Sequence, residues 1–154
     1  RTLQLHDAML KVFAAHPGQI AQARNAAEIE SVTKAGKIAA VLTLEGGHQI
    51  ADDLAVLRMY QHLGIRSMTL THFRNNNWAD ASTDKPAHNG LTAFGKDVVR
   101  EMNRAGMIVD ISHVSDKTFF DTLEVTTKPV IASHSSSRAL SPVPRNMTDD
   151  MINA

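Results

Sequence analysis

The sequence predicts an α/β fold: a parallel sheet with helices outside it, forming part of a (β/α)8 barrel with about four strand–helix units. Three observations predict it. Apolar runs rich in β-branched residues alternate along the chain with segments of helical periodicity. The runs are continuous rather than alternating apolar with polar, as in strands covered on both faces. Each run is followed by a residue that can ligate a metal or move a proton, namely Glu45, His72, His113 and His134. The C-terminal ends of barrel strands are where such folds carry their chemistry.

Each element has its own signal. Residues 3–15 place Leu5, Met9, Val12 and Phe13 at helical spacing, and His16-Pro17-Gly18 stops that run. A second helix is predicted from Ile20 to Ala35, with Gly36 as its C-terminal stop. Lys37–Leu44 reads as the first strand and ends at Glu45-Gly46-Gly47. Asp52–Leu63 is a helix closed by Gly64. Ile65–Thr71 is the second strand. Residues 73–89 form a long polar loop, a length that in a compact domain is either functional or disordered. Leu91–Ala105 is a helix closed by Gly106, and Met107–Ser112 is the third strand. Ser115 caps a helix reaching about Thr126. Val130–Ser133 is the fourth strand, residues 135–144 are loop, and Thr148 caps a last helix. No self-repeat of 20–50 residues and no domain boundary interrupts the order.

Composition narrows the chemistry. The chain has 154 residues, 43% apolar and 21% charged, with Lys plus Arg equal to Asp plus Glu at 16 each. That balance excludes the basic surface a nucleic-acid partner needs. No run of about 18 apolar residues exists to span a membrane. There is no cysteine, so any metal must sit on His, Asp or Glu, a donor set suited to zinc or a harder divalent ion. Residue 1 is Arg, so it is not expected to be a native start.

The ends of the four strands supply one carboxylate and three imidazoles to one face. A carboxylate has two oxygens and can bridge two ions, whereas a neutral imidazole offers one lone pair. Two ions about 3.5–4 Å apart generate hydroxide at neutral pH and polarise an acyl oxygen. Gly46-Gly47 either turns the chain or lets the backbone approach a ligand closely. Asp110 is either a satisfied buried acid or a residue that orients a ligand histidine. Arg145, in a proline-bounded loop, either clamps a substrate carboxylate or makes a surface ion pair. His6, His16, His48, His62 and His88 are read as surface residues.

Several motifs in order carry a family resemblance: L-E-G-G-H at Leu44–His48, M-T-L-T-H at Met68–His72 with N-N-W-A-D soon after, G-L-T-A-F-G-K at Gly90 running on to G-M-I-V-D-I-S-H-V-S, P-V-I-A-S-H-S-S at Pro129, and R-N-M-T-D-D at Arg145. Over about residues 36–154 the sequence resembles the membrane (renal-type) dipeptidases, zinc metallopeptidases with a TIM-barrel fold. Residues 1–35 match that family only in helical character. The resemblance implies a hydrolase of dipeptides, including those with a C-terminal D-residue, in which a hydroxide bridging two zinc ions is the nucleophile. It implies that Glu45 bridges the ions and that His113 and His134 hold the second. His72 would contact the substrate carbonyl and steady the tetrahedral intermediate, and Arg145 would bind the dipeptide's C-terminal carboxylate. It also suggests a homodimer.

Two of the family's features have no counterpart in this sequence. The His-x-Asp pair that supplies the first zinc is absent, since His6-Asp7 is adjacent and lies in a helical run. The aspartate near the last barrel strand would fall beyond residue 154. The chain is therefore expected to be an internal piece of a barrel, with the first and last strands outside it and two sheet edges open. The alternatives are a related barrel amidohydrolase acting on another small amide or lactam, and a catalytically inactive truncated scaffold.

Overall fold

A computed structural model describes all residues, Arg1–Ala154. The helices are α1 (Thr2–Ala15), α2 (Ala26–Lys34), α3 (Leu54–His62), α4 (Ala93–Ala105), α5 (Asp116–Val125) and α6 (Asp149–Asn153). The strands are β1 (Ile20–Gln22), β2 (Ile38–Ala40), β3 (Leu42–Leu44), β4 (Ile65–Thr69) and β5 (Ile108–Asp110). All ladders are parallel: β1 pairs with β2, and β3 with β4 with β5. Ile131 extends the sheet by one parallel bridge to Asp110. No helix is long and apolar enough to cross a membrane.

Local chemistry sets most boundaries. Asn25 accepts the N–H of Glu28 at 2.9 Å while Glu28 accepts the N–H of Arg24 at 2.8 Å, a reciprocal cap that starts α2. Thr92, Ser115 and Thr148 cap α4, α5 and α6 through their hydroxyls. Gly106 ends α4 in the left-handed region at φ 70°, a conformation glycine adopts without a Cβ clash.

Three expectations are corrected. The helix expected from Ile20 to Ala35 is a strand followed by a shorter helix. Three residues of Ile-Ala-Gln carry too weak a local preference to declare a strand, and pairing to Ile38–Ala40 decides it. The run Lys37–Leu44 is two strands rather than one, with a register shift between Leu42 and Thr43. Its first half pairs with β1 and its second with β4, so the break at Val41 lets one segment serve two neighbours. Nor is it covered on both faces, since Ile38 is 65% exposed. The strand expected at Val130–Ser133 contracts to the bridge at Ile131, where Ile131 N–H reaches the Val109 carbonyl at 3.0 Å.

The core lies between β3–β5 and the helices α3, α4 and α5, around Leu57, Met68, Leu70, Trp78, Val98, Met102, Val109 and Phe119. The 73–89 loop is ordered by buried polar groups. The Asp80 carboxylate accepts the N–H groups of Ala87 (2.9 Å), His88 (3.1 Å) and Gly90 (2.9 Å). Burial pushes the Asp80 carboxyl up, but these three donors bring it below its ordinary range.

On the outer surface Glu101 of α4 meets Arg104 and Arg58 of α3 at 2.6 Å and 3.0 Å. The Arg104 hydrogen bonds, with Arg58 and against burial, lower its carboxyl from 4.5 to about 2. A depressed carboxyl stabilises the fold above its unfolded value, and that contribution is lost as pH falls from about 4.5 toward 2. Glu101→Gln is expected to cost on the order of 1 kcal/mol at neutral pH, because the arginines are half exposed. It should also flatten the acid limb of stability, read from unfolding midpoints on either side of that window.

Candidate metal centre

The parallel register brings the strand ends level. Leu44 lies opposite Met68, Met68 opposite Val109, and Asp110 opposite Ile131. Glu45, His72, His113 and His134 follow those positions and converge. Glu45 Oε1 lies 3.1 Å from His113 Nε2, 3.1 Å from His134 Nε2 and 3.4 Å from His72 Nε2. The two Nε2 atoms of His113 and His134 are 2.8 Å apart. The His72 ring tilts against that of His113 with centroids 4.5 Å apart.

Each side chain is aimed by its backbone. Gly46 takes φ 107°, open to glycine alone, and its N–H reaches the Thr69 hydroxyl at 2.6 Å. This turns the chain directly after Glu45. Of the two uses expected for Gly46-Gly47, the turn is realised, and the close approach of Gly47 is to the Trp78 ring and the Leu70 carbonyl. His113 sits at φ 73°, a left-handed conformation that costs a non-glycine residue about 1 kcal/mol. Its carbonyl is held by the Thr71 hydroxyl at 3.1 Å and the Ser82 N–H at 2.8 Å. Those two bonds hold the strained backbone in place and point the ring back over the sheet.

Electrostatics suit a cation. Burial, reinforced by the Arg145 charge, pushes His113 down from 6.5 to about 4. Its ring is therefore neutral at physiological pH and can give a lone pair. Burial pushes the Glu45 carboxyl up, but the His113 hydrogen bond and the electrostatic pull of the surrounding imidazoles hold it below its ordinary value. Ligand atoms of Glu45, His113 and His134 all lie within 4.8 Å of one another. Two imidazole nitrogens at van der Waals overlap and one carboxylate oxygen form a donor set that a divalent ion satisfies, with nitrogen and oxygen ligands only. The residues present therefore fit a metal.

Arg145 stands beside this centre. Its Nη2 donates to the His134 carbonyl at 3.2 Å, while Nη1 is buried without a partner. Burial lowers the guanidinium from its ordinary range, opposed by the charges of Glu45 and Asp110. Asp110 is buried and bonded to Ser112 and Ser133, the latter touching His134 Nδ1 at 2.7 Å. Two of the histidines read as surface residues are half-buried instead. His88 Nε2 meets the Asn76 carbonyl at 2.8 Å inside the ordered loop, and His6 Nε2 meets Leu63 O at 2.9 Å. Sequence reading also passed over Ser133 and Asp80. Asp80 sits in N-N-W-A-D and takes its donors from Ala87, His88 and Gly90 further along the same loop, while Ser133 in P-V-I-A-S-H joins its neighbour His134 to Asp110 of β5.

The sequence matches the profile described as membrane dipeptidase (peptidase family M19) across residues 1–154. The chain belongs to this family. The match includes residues 1–35, so the family relationship extends over the part that resembled it only in helical character. The dipeptidase tcpJ of Claviceps purpurea (strain 20.1) is 41% identical over 152 residues, 98% of this chain and 36% of that protein. The fold of the probable dipeptidase PvdM from Pseudomonas aeruginosa superposes with a TM-score of 0.93 at 29% identity, covering 96% of this chain and 39% of that one. A metallopeptidase from Rhodobacter sphaeroides, liganded with a phosphinate mimic of the dipeptide L-Ala-D-Ala, gives a TM-score of 0.91 at 28% identity over 97% of this chain and 44% of its own. The α/β architecture is thus that of the M19 metallopeptidases, and this family member spans less than half the length of these relatives.

Proposed function

We propose that this chain is part of a zinc-dependent dipeptidase that hydrolyses dipeptides, including those with a C-terminal D-residue. The observation that carries the proposal is the convergence of Glu45, His72, His113 and His134 beside a half-buried arginine, Arg145, whose Nη1 is buried without a partner. In this reading Glu45 would be a ligand shared by two zinc ions, and His113 and His134 would help to hold the second. Further protein ligands of the first ion would come from outside residues 1–154, in keeping with a chain that covers 36% and 39% of the length of two relatives. Zinc bound there supplies Lewis acidity and a water acidified to near neutrality. The residues of this chain do the positioning. His72 donates a ring N–H toward the carbonyl oxygen as it gains charge. Arg145 receives the substrate's C-terminal carboxylate through Nη1, a charge-assisted bond that fixes the orientation of the scissile amide. The L-Ala-D-Ala mimic carried by the Rhodobacter sphaeroides structure supports the substrate class. The complete enzyme is read as a homodimer.

The test compares a dipeptide with its C-terminal amide. Chelation should abolish hydrolysis and added zinc should restore it. Arg145→Met should lower kcat/KM for the dipeptide by about 100-fold or more, mostly through KM, as for loss of a partner from a desolvated charge pair. The same variant should leave the slower hydrolysis of the amide nearly unchanged. Equal losses on both substrates would remove Arg145 from carboxylate binding, and hydrolysis insensitive to chelation would remove the metal.

A further inference from the structure

We propose that Ser133 is a positioning residue that fixes the tautomer of His134, relaying the Asp110 carboxylate to the imidazole so that Nε2 faces the metal position as a bare lone pair. The inference rests on the metal reading of the site and adds to it a residue that is no ligand.

The argument is a count of protons. Asp110 accepts the N–H of Ser112 at 3.0 Å and the N–H of Ser133 at 3.2 Å on one oxygen, and meets the Ser133 hydroxyl on the other. A carboxylate in such a cluster only accepts. Ser133 Oγ has one proton and three polar neighbours, Asp110, His134 Nδ1 at 2.7 Å and, more distantly, the Ser112 hydroxyl at 3.5 Å, which has a proton of its own to give. Were that proton given to His134, oxygen lone pairs of Ser133 and Asp110 would face each other at their close contact. The proton therefore points to Asp110, and Ser133 Oγ must accept from Nδ1–H of the ring. A neutral imidazole protonated on Nδ1 carries its lone pair on Nε2. That atom is the one 3.1 Å from Glu45 Oε1 and 2.8 Å from His113 Nε2.

The backbone holds the relay in register. The His134 N–H donates to the Ser112 hydroxyl at 3.1 Å, so the end of the β5 strand carries both serine and aspartate contacts to the next segment. His113 has no equivalent, because its Nδ1 is buried without a partner. Its orientation comes from the left-handed backbone at φ 73° instead. His134, with a side chain 43% exposed, has no such enclosure and needs a hydrogen bond to choose its proton. Outer partners of ligand histidines typically change metal affinity by about 10–100-fold.

The experiment uses the purified protein with zinc as the probe. Zinc affinity is measured by competition with a chromogenic chelator for wild type, Ser133→Ala and Ser133→Thr. The His134 tautomer is read in the zinc-free protein from long-range proton–nitrogen NMR spectra. Ser133 is exposed, so the alanine variant should fold, which the same spectra monitor. The expected result is Nδ1–H in the wild type and a 10–100-fold weaker zinc affinity in Ser133→Ala. That variant should show a mixed or Nε2–H tautomer, and both properties should return in Ser133→Thr, which restores the hydroxyl. Unchanged affinity and tautomer in Ser133→Ala would overturn the relay, as would Nε2–H in the wild type. A wild type that takes up no zinc would overturn the metal reading and the relay with it, an outcome distinct from zinc uptake that ignores Ser133.

Discussion

Replacing Glu45 by Gln is expected to abolish dipeptide hydrolysis, with kcat/KM falling by at least about 1,000-fold, or ~4 kcal/mol of transition-state stabilisation. The substitution keeps the shape of the side chain and removes its charge. Oε1 is the common neighbour of three imidazole nitrogens, at 3.1, 3.1 and 3.4 Å. An amide offers one neutral oxygen and an NH2 group that has no lone pair to give, so it cannot bridge two cations or offset their charge. The Glu45 side chain is 53% exposed, and the turn after it is held by Gly46 and Thr69 backbone and hydroxyl contacts that the change does not touch. The variant should therefore fold normally, lose bound zinc and lose activity together. Metal analysis and steady-state kinetics on the same preparation check this, and turnover near wild type would eliminate the bridging role.

Gly47→Ala is expected to destabilise the fold by about 1–3 kcal/mol and to empty the metal centre without altering any ligand. A methyl group at this position would meet the Trp78 ring and lie 2.6 Å from the Leu70 carbonyl oxygen. Neither neighbour can yield. Trp78 is 1% exposed in the core, and Leu70 is fully buried with its carbonyl held by Asn76 Nδ2 at 2.8 Å. The backbone of Gly47 would move outward instead, breaking its N–H bond to that same carbonyl and swinging the Glu45–Gly46 turn away from His72 and His113. Denaturant unfolding would record the lost stability and zinc titration the weakened site. Wild-type values in both would mean that the turn can shift without moving Glu45.

The two variants separate what local sequence carries from what packing carries. Glu45, His72, His113 and His134 were recognisable because each follows an apolar run. Parallel pairing then needed only to align the runs for the four side chains to meet. Helix starts were equally legible at Ser115 and Thr148, since a cap is a hydrogen bond made within one turn of chain. The cap at Asn25 was also available, through the Glu three residues later. Ala, Gln and Glu around it extend a plausible helix in both directions and mask that signal.

Sequence by itself determined the alternation of strand and helix, the caps, and the identity of the four side chains at the strand ends. These are matters of composition and of spacing within a few residues, where backbone preference and periodicity act directly. Only the tertiary structure decided that Ile20–Gln22 is a strand, that the 38–44 run divides at Val41 to serve two neighbours, that Asp80 gathers the 73–89 loop, and that Ser133 stands between Asp110 and His134. Each of these depends on a hydrogen bond whose partner is brought in by the fold. A short segment with weak intrinsic preference takes the conformation that satisfies its backbone against whatever the packing sets beside it.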